Sequence, residues 1–397
     1  MLSGPRPAPL AVTASRRALA GFLLSGLIFA FPGPILIAWN YHRLFEYPSI
    51  GLFFLFMGVG VWTAVRMARG LLRQFGTKGV LMAGCFTAAA GFALLAFDEL
   101  PNLLWWRRGA FAGLGVALGL LHASLFQLIA PVYERSAAAV VNLSGILFGA
   151  GSLGASLLVA GSFGAYQLWL PMTLFAAIAF GYGVWYARSR FPEITRVPEL
   201  LGPAEDRPDY RSLSAIAIVV VVFLQFGNEW SVAAWLPLFL VQRLGVSPTT
   251  AVGLLALYWT ALAVGRIVAQ PLLQRVRHRR ILLAGAGAAL FGCLVMGLTN
   301  NMLGAVTAVL AIGLGFACSY PLLTELVRGR FSRYHPVYFE GVFSVALTGG
   351  LLAPWAVGAI AGATGIGGAI LLPAFGTLAV FVLLLVLRFA AKLNLSN

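Results

Sequence analysis

One carboxylate, Glu229, stands in the middle of an apolar run, in the stretch FGNEWSV. It lies 16 residues after Leu213 and 12 before Val241, roughly 24 and 18 Å from them if the run is helical at about 1.5 Å per residue. An ionised carboxylate at the centre of a bilayer costs about 2.5–3.5 kcal/mol on insertion scales, so it must face water, a partner or a ligand. Two chemistries suit it: taking up and releasing a proton, and hydrogen bonding a polar solute. The alternative is a structural pair with another buried polar group. Gln225 lies one turn earlier, and Asn228 and Trp230 flank the glutamate. His122 is the second candidate. It sits inside another apolar run, and an imidazole titrates near pH 6.5, so it can carry a proton at physiological pH. A neutral histidine hydrogen-bonded across helices is the other reading.

Other groups fall at mid-run and could stack on, or hydrogen bond, a sugar-like solute: Asn142, Tyr258, Trp259, Tyr320 and Trp355. Packing or anchoring at a membrane interface accounts for such aromatic residues as well. Pro32-Gly33-Pro34 interrupts the first apolar run. Proline removes a backbone donor and bends a helix, which makes the triplet a hinge or a site-lining break, or else a packing kink. Cys85, Cys293 and Cys318 lie in apolar runs without metal-ligand spacing and read as small core residues. No metal or other cofactor is expected. The chain has no H-E-x-x-H, no P-loop and no G-x-S-x-G elbow, and its charges are too scattered for a catalytic cluster. An enzyme, an ATP-driven pump and a receptor with a large extra domain are all disfavoured.

The elements that position these residues follow from composition. The 397 residues are 60% hydrophobic and 10% charged, with a net charge of +15. Soluble domains carry about 25% charged residues, so lipid must be the solvent. A crossing helix needs about 20 apolar residues. Stretches free of Asp, Glu, Lys and Arg at 18–42, 47–65, 79–97, 109–133 and 244–265 are one span long; 212–242 is another, broken only by Glu229. The stretches 136–187, 281–324 and 341–387 each hold two, with turns expected at Gly161–Gly164, Thr299–Asn301 and Gly362–Gly368. The total is twelve transmembrane helices, an all-α membrane protein. With both termini cytoplasmic, 23 of the 27 Lys and Arg residues fall on the cytoplasmic side; only Arg43, Arg107, Arg108 and Arg243 do not. The basic cluster LLQRVRHRRIL at Leu272–Leu282 is then the cytoplasmic turn between spans 8 and 9, and not a nucleic-acid site.

That turn has a counterpart 201 residues earlier, LLRQFGTKGVL at Leu71–Leu81. The offset recurs: Phe22, Leu23 and Gly26 match Phe223, Leu224 and Gly227, and Gly149, Ala160 and Gly161 match Gly350, Ala361 and Gly362. The expected organisation is a tail at 1–17, a six-helix bundle at 18–187, a cytoplasmic linker at 188–211, a second bundle at 212–392 and a tail at 393–397. Two like-oriented halves bind substrate between them near the midplane and rock to expose it alternately. Gly145, Gly149, Gly151 and Gly154 form a small-residue ladder that allows close helix approach in span 5.

With these features the chain resembles the major facilitator superfamily over nearly its whole length. The two eleven-residue turns look like that superfamily's loop signature and its echo, although Arg73 and Gln274 replace the usual acid. Gly265-Arg266 and the stretch from Pro131 to Arg135 keep the family's look. The resemblance implies a cytoplasmic gate, for which Arg73, Glu134, Arg135, Arg266, Arg275, Glu325 and Glu340 are the candidates. A finer resemblance, to fucose-permease-like sugar:proton symporters, rests on GLGVALGLLHASLF, FGNEWSVAAWLPLFL and GGLLAPWAVGAIAG. His122 and Pro34 occupy places where such relatives often carry acids. The expectation is a monomeric secondary transporter of a small polar solute, a sugar by resemblance, with proton coupling. It would lie in the lipid bilayer of a bacterial inner membrane, with a small-molecule substrate as its partner. A proton-driven exporter of drugs or metabolites is the alternative.

Overall fold

The computed structural model of the chain describes residues 9–44, 46–97, 103–133, 137–165, 169–191, 213–319, 322–323 and 336–393. Among these residues there are helices and turns but no strand. In a bilayer every backbone polar group must be satisfied within the chain, and an apolar helix does this within its own length.

The first crossing is broken. Helix α1 (Pro9–Ala30) gives way at Phe31 to α2 (Pro32–Ala38), and the two axes are bent by 41°. Pro32 opens α2, where its missing N–H costs nothing because the first helical turn has no intrahelical acceptor for it. A short α3 (Tyr41–Leu44) leads into α4 (Tyr47–Leu95), which is two crossings in one continuous helical run. The chain reverses at Gly76, with φ 67° and ψ 171°, a conformation essentially restricted to glycine. Both arms of α4 lie against α5 (Leu103–Tyr133): the first runs parallel to it, with Met57 beside Gly115 and Val61 beside Gly119. The second runs antiparallel, with Gly84 beside Leu121 and Gly91 beside Leu114. Helices α6 (Ala137–Ala165) and α7 (Trp169–Arg188) complete the first set.

The second set begins with α8 (Leu213–Leu244) and α9 (Pro248–Arg275), which starts on an N-cap where Ser247 Oγ accepts from the Thr250 amide at 3.1 Å. Helices α10 (His278–Leu298) and α11 (Met302–Ala317) are separated by Thr299–Asn301, where Asn301 caps α11 by accepting from the Gly304 amide at 2.8 Å. Helix α12 (Pro336–Ala369) contains a second glycine reversal at Gly365, φ 74° and ψ 167°, and α13 (Leu371–Leu393) follows.

Eight of these helices are long and apolar enough to cross a membrane, and the bent pair α1–α2 makes a ninth. Since α4 doubles back, and α11 and the apolar part of α13 are shorter apolar helices, the set is consistent with twelve crossings. The expected turns at 299–301 and 362–368 are present. The one expected at Gly161–Gly164 is displaced: α6 continues through those glycines to Ala165. In lipid a glycine does not open a helix to competing water, so it ends one less readily than in solution. Most of the expected linker, residues 192–211, lies outside the described residues.

The two halves correspond in their contacts as well as in sequence. A Cβ on Gly26 would strike the Phe148 carbonyl, and one on Gly227 would lie beside the Gly349 carbonyl; both positions of the second pair are 201 residues after those of the first. Gly60 packs on Ala112, and Gly313 packs on Ala261, at the same offset. The halves are therefore pseudo-symmetric, each built on the same close approaches of its first and fifth crossings and of its second and fourth.

Candidate functional site

A cleft spanning about 520 Å³, open solvent included, lies where the halves meet. The first half supplies Phe22 and Phe29 from α1, His122 and Phe126 from α5, and Ser144, Gly145 and Phe148 from α6. The second supplies Phe226, Glu229 and Trp230 from α8, Arg266 from α9 and Leu347 from α12. Residues 226, 229 and 230 share one face of α8 because a helix returns to the same side every three to four residues.

Glu229 is not alone. Arg266 Nη2 stands 3.9 Å from its Oε1, and both side chains are almost wholly buried. Each nitrogen of the guanidinium meets a different helix. Nε donates to the Ala317 carbonyl at 3.3 Å, Nη1 donates to the Gly145 carbonyl, and Nη2 faces the carboxylate. Arg266 thus belongs to the second half but is bonded to the first. Its approach to the α6 backbone is close at Gly145, where a Cβ would come 3.0 Å from Nη1 and would have to displace the guanidinium. Behind the carboxylate, the Tyr258 hydroxyl donates to the main-chain carbonyl of Glu229 at 3.4 Å. A buried charge is tolerated when it is paired and hydrogen-bonded, and this arrangement meets both conditions.

Most of the rest of the wall is aromatic. Trp230 meets Phe29 edge-on at 3.8 Å between centroids and lies 5.6 Å from Phe148 and 5.3 Å from Trp259. The His122 ring lies between Phe22 and Phe126, at 6.1 and 5.8 Å. Phe29 and Trp230 also line a second cavity, of about 280 Å³, further along α1, α8 and α12. Its walls include Pro32, Gly33, Phe54, Met57, Leu351 and Pro354, all apolar. Phe29 and Trp230, one from each half, thus divide a polar compartment from a dry one.

Beyond the dry compartment the halves are bonded directly. Gly33 of the Pro32–Pro34 break abuts the Ala233 carbonyl. The Trp235 ring of the second half, held there by donation to the Pro354 carbonyl at 2.9 Å, meets Tyr47 and Phe54 of the first at 6.4 and 6.2 Å between centroids. The Tyr47 hydroxyl donates to Gln242 Oε1 at 2.9 Å, and Gln242 Nε2 donates to the His42 carbonyl at 2.8 Å. This seal lies at the end of the bundle opposite the turns at Gly76 and Val276.

Of the residues that the sequence singles out, Glu229 and His122 line the cavity. Gln225 is buried one turn before Glu229 and Asn142 one turn before Gly145, but neither is in the wall. Asn228 points elsewhere: its amide presses on Gly376 of α13. Trp259 backs Trp230 without reaching the cavity, and Trp355 sits at the seal, with its main chain against Gly51. Pro32 and Gly33 line the dry compartment, and Pro34 is buried in α2. Arg73 and Arg275 are exposed at the helix turns. Arg266, grouped by sequence with them, is instead in the cavity. Glu134, Arg135, Tyr320 and Glu325 lie outside the described residues, as does the side chain of Glu340. The sequence reading gave Arg266 to the gate and not to the cavity, and it missed Gly145, Ser144 and the phenylalanines as cavity residues. The signal for Arg266 was the one that marked Glu229, a charge within reach of an apolar run. A span delimited by its charges stops at Gly265, whereas the helix runs on to Arg275.

Comparison with known proteins agrees with this architecture. Residues 18–345 match the sequence model described as the Major Facilitator Superfamily. A stretch of 166 residues is 30% identical to proteins named glucose/galactose transporter in two strains of Brucella abortus. It covers 41% of this chain and 39% of those proteins, so the chain matches about two fifths of the length of these curated relatives. A crystal structure of a variant of the E. coli fucose:proton symporter, FucP, superposes with a TM-score of 0.64 at 18% identity, over 96% of this chain and 99% of that one. The human organic anion transporter TETRAN superposes with a TM-score of 0.68 at 15% identity, over 95% of this chain and all of the other. At such identities the likeness is one of fold. The pseudo-symmetric helical halves, the cavity between them and the match across 18–345 lead to one assignment: the chain is a multi-pass membrane transporter, not an enzyme, and belongs to the major facilitator superfamily.

Proposed function

We propose that the protein is a proton-coupled secondary transporter of a small, uncharged, sugar-like solute, working by alternating access. The carrying observation is the Glu229–Arg266 pair in an aromatic-walled cavity shared by both halves. Aromatic faces take the C–H surfaces of a sugar ring, and the ion pair and Ser144 take its hydroxyls. The names of the relatives support this reading, since the Brucella proteins are called glucose/galactose transporters and the E. coli structure is a fucose:proton symporter. Glu229 is the proton carrier, and His122 in the same wall is its partner or a second site. In this reading residues 18–187 and 212–392 rock about the linker at 188–211, with Pro32–Pro34 as a hinge. Arg73, Arg275 and the acids Glu134, Glu325 and Glu340 form the cytoplasmic gate. The protein resides in a bacterial inner membrane with both termini cytoplasmic, and acts as a monomer.

The exporter alternative calls for a carboxylate that attracts a lipophilic cation, and Arg266 already neutralises that carboxylate. The test is uptake of labelled D-glucose, D-galactose and L-fucose into proteoliposomes with an alkaline interior. Accumulation that a protonophore abolishes is expected. If none of the three sugars accumulates while the protein remains folded, the importer reading fails.

A further inference from the structure

We propose that Glu229 and Arg266 together read one hydroxyl of the solute as a bridge between them, which restricts the site to uncharged polyhydroxylated molecules. The inference rests on the sugar-transport reading above and adds which atoms select the solute.

The guanidinium is positioned before any solute arrives. Its Nε and Nη1 are tied to the Ala317 and Gly145 carbonyls, which keeps it from advancing on the carboxylate. The Tyr258 hydroxyl makes a long contact, 3.4 Å, with the Glu229 carbonyl behind the acid. Nη2 and Oε1 stand 3.9 Å apart. At that distance the charges attract but share no hydrogen bond, which between charged N–H and O closes to about 2.7–2.9 Å. An oxygen about 2.8 Å from Nη2 and about 2.7 Å from Oε1 sees the two at an angle of roughly 90°. A hydroxyl that accepts one bond and donates another can adopt this arrangement.

Only a hydroxyl closes the bridge. A carbonyl or a fluorine accepts from Arg266 but cannot donate to Glu229. An ammonium donates but cannot accept, and a methylene does neither. A carboxylate on the solute would be drawn to Arg266 and repelled by Glu229, and a cation the reverse, so a pair of zero net charge disfavours both. Phe29, Phe148 and Trp230 beside it offer ring faces without competing for the hydroxyl.

The test uses purified full-length protein and reads binding as thermal stabilisation by D-glucose, D-galactose and L-fucose. The best binder is then compared with each of its monodeoxy and monodeoxyfluoro derivatives. One ring position is expected at which both derivatives bind about 10- to 100-fold more weakly than the parent, the size of one charge-assisted hydrogen bond. In Glu229→Gln the fluoro penalty at that position should shrink at least about fivefold, because a neutral amide replaces the charged acceptor. Penalties at the other positions should stay unchanged. Tolerance of both derivatives at every position, or a penalty that Glu229→Gln leaves intact, overturns the bridge and leaves sugar recognition standing. If none of the three parent hexoses stabilises the wild type, the sugar reading falls and the bridge with it.

Discussion

Arg266 satisfies two main-chain carbonyls and one carboxylate, so the two members of the ion pair are not equivalent. Removing one partner of a buried pair leaves the other charge uncompensated, at a cost of about 3–5 kcal/mol. Glu229→Gln keeps the shape and leaves the guanidinium its two carbonyls. It should fold, lose little thermal stability and lower proton-driven uptake at least about tenfold; wild-type uptake in this variant would remove Glu229 from coupling. Arg266→Met strands the carboxylate and should lower the unfolding temperature markedly. The double variant Glu229→Gln/Arg266→Met should recover part of that loss, since neither charge of the pair remains. A double variant no more stable than Arg266→Met alone would show that the pair has no energetic coupling.

At the scale of elements, two glycines carry the reversals. Gly76 and Gly365 both combine φ near 70° with ψ near 170°, a region costly for any residue with a Cβ. Neither faces a neighbouring side chain, so an added methyl meets open space and only backbone strain is introduced. Gly76→Ala and Gly365→Ala should each destabilise by about 1–3 kcal/mol. Gly70→Ala, within a helical arm and also facing open space, should be neutral or stabilising, and thermal unfolding of the three separates conformation from packing. These elements were the most legible part of the chain, because crossing length, turn composition and the 201-residue repeat are all properties of linear sequence. The site was legible only in part. Glu229 and His122 stood out because a titratable group contrasts with an apolar run. Phe22, Phe126 and Phe148 did not, in a chain with 29 phenylalanines. Asn228 misled because adjacency in sequence is a rotation of about 100° on a helix, which turns it from the cavity toward Gly376. The role of Gly145 depends on a side chain 121 residues away in the other half, and no local pattern encodes that.

At the scale of the molecule, the two halves are joined on either side of the Phe29–Trp230 divider by contacts of different kinds. On one side, among the described residues, the Arg266 guanidinium crosses to an α6 carbonyl beside the polar cavity. On the other, Tyr47, Gln242 and His42 form a chain of two neutral hydrogen bonds beyond the dry compartment. Rocking of the halves must break whichever set is closed, so their relative strength sets the balance between the two facing states. Each neutral hydrogen bond contributes about 0.5–1.5 kcal/mol net, so losing both shifts that balance about 5- to 150-fold. Gln242→Ala removes both at once while leaving the polar cavity untouched. The readout is a cysteine at Phe54, in the dry compartment between the seal and the divider, in a protein whose Cys85, Cys293 and Cys318 are replaced by serine. A membrane-impermeant maleimide added at the sealed face should label Phe54→Cys at least about fivefold faster when Gln242→Ala is present. Equal labelling rates with and without Gln242→Ala would mean that the Tyr47–Gln242–His42 chain does not hold the halves together. The closure would then have to reside in the packing of Gly33 on Ala233 and of Gly51 on Trp355.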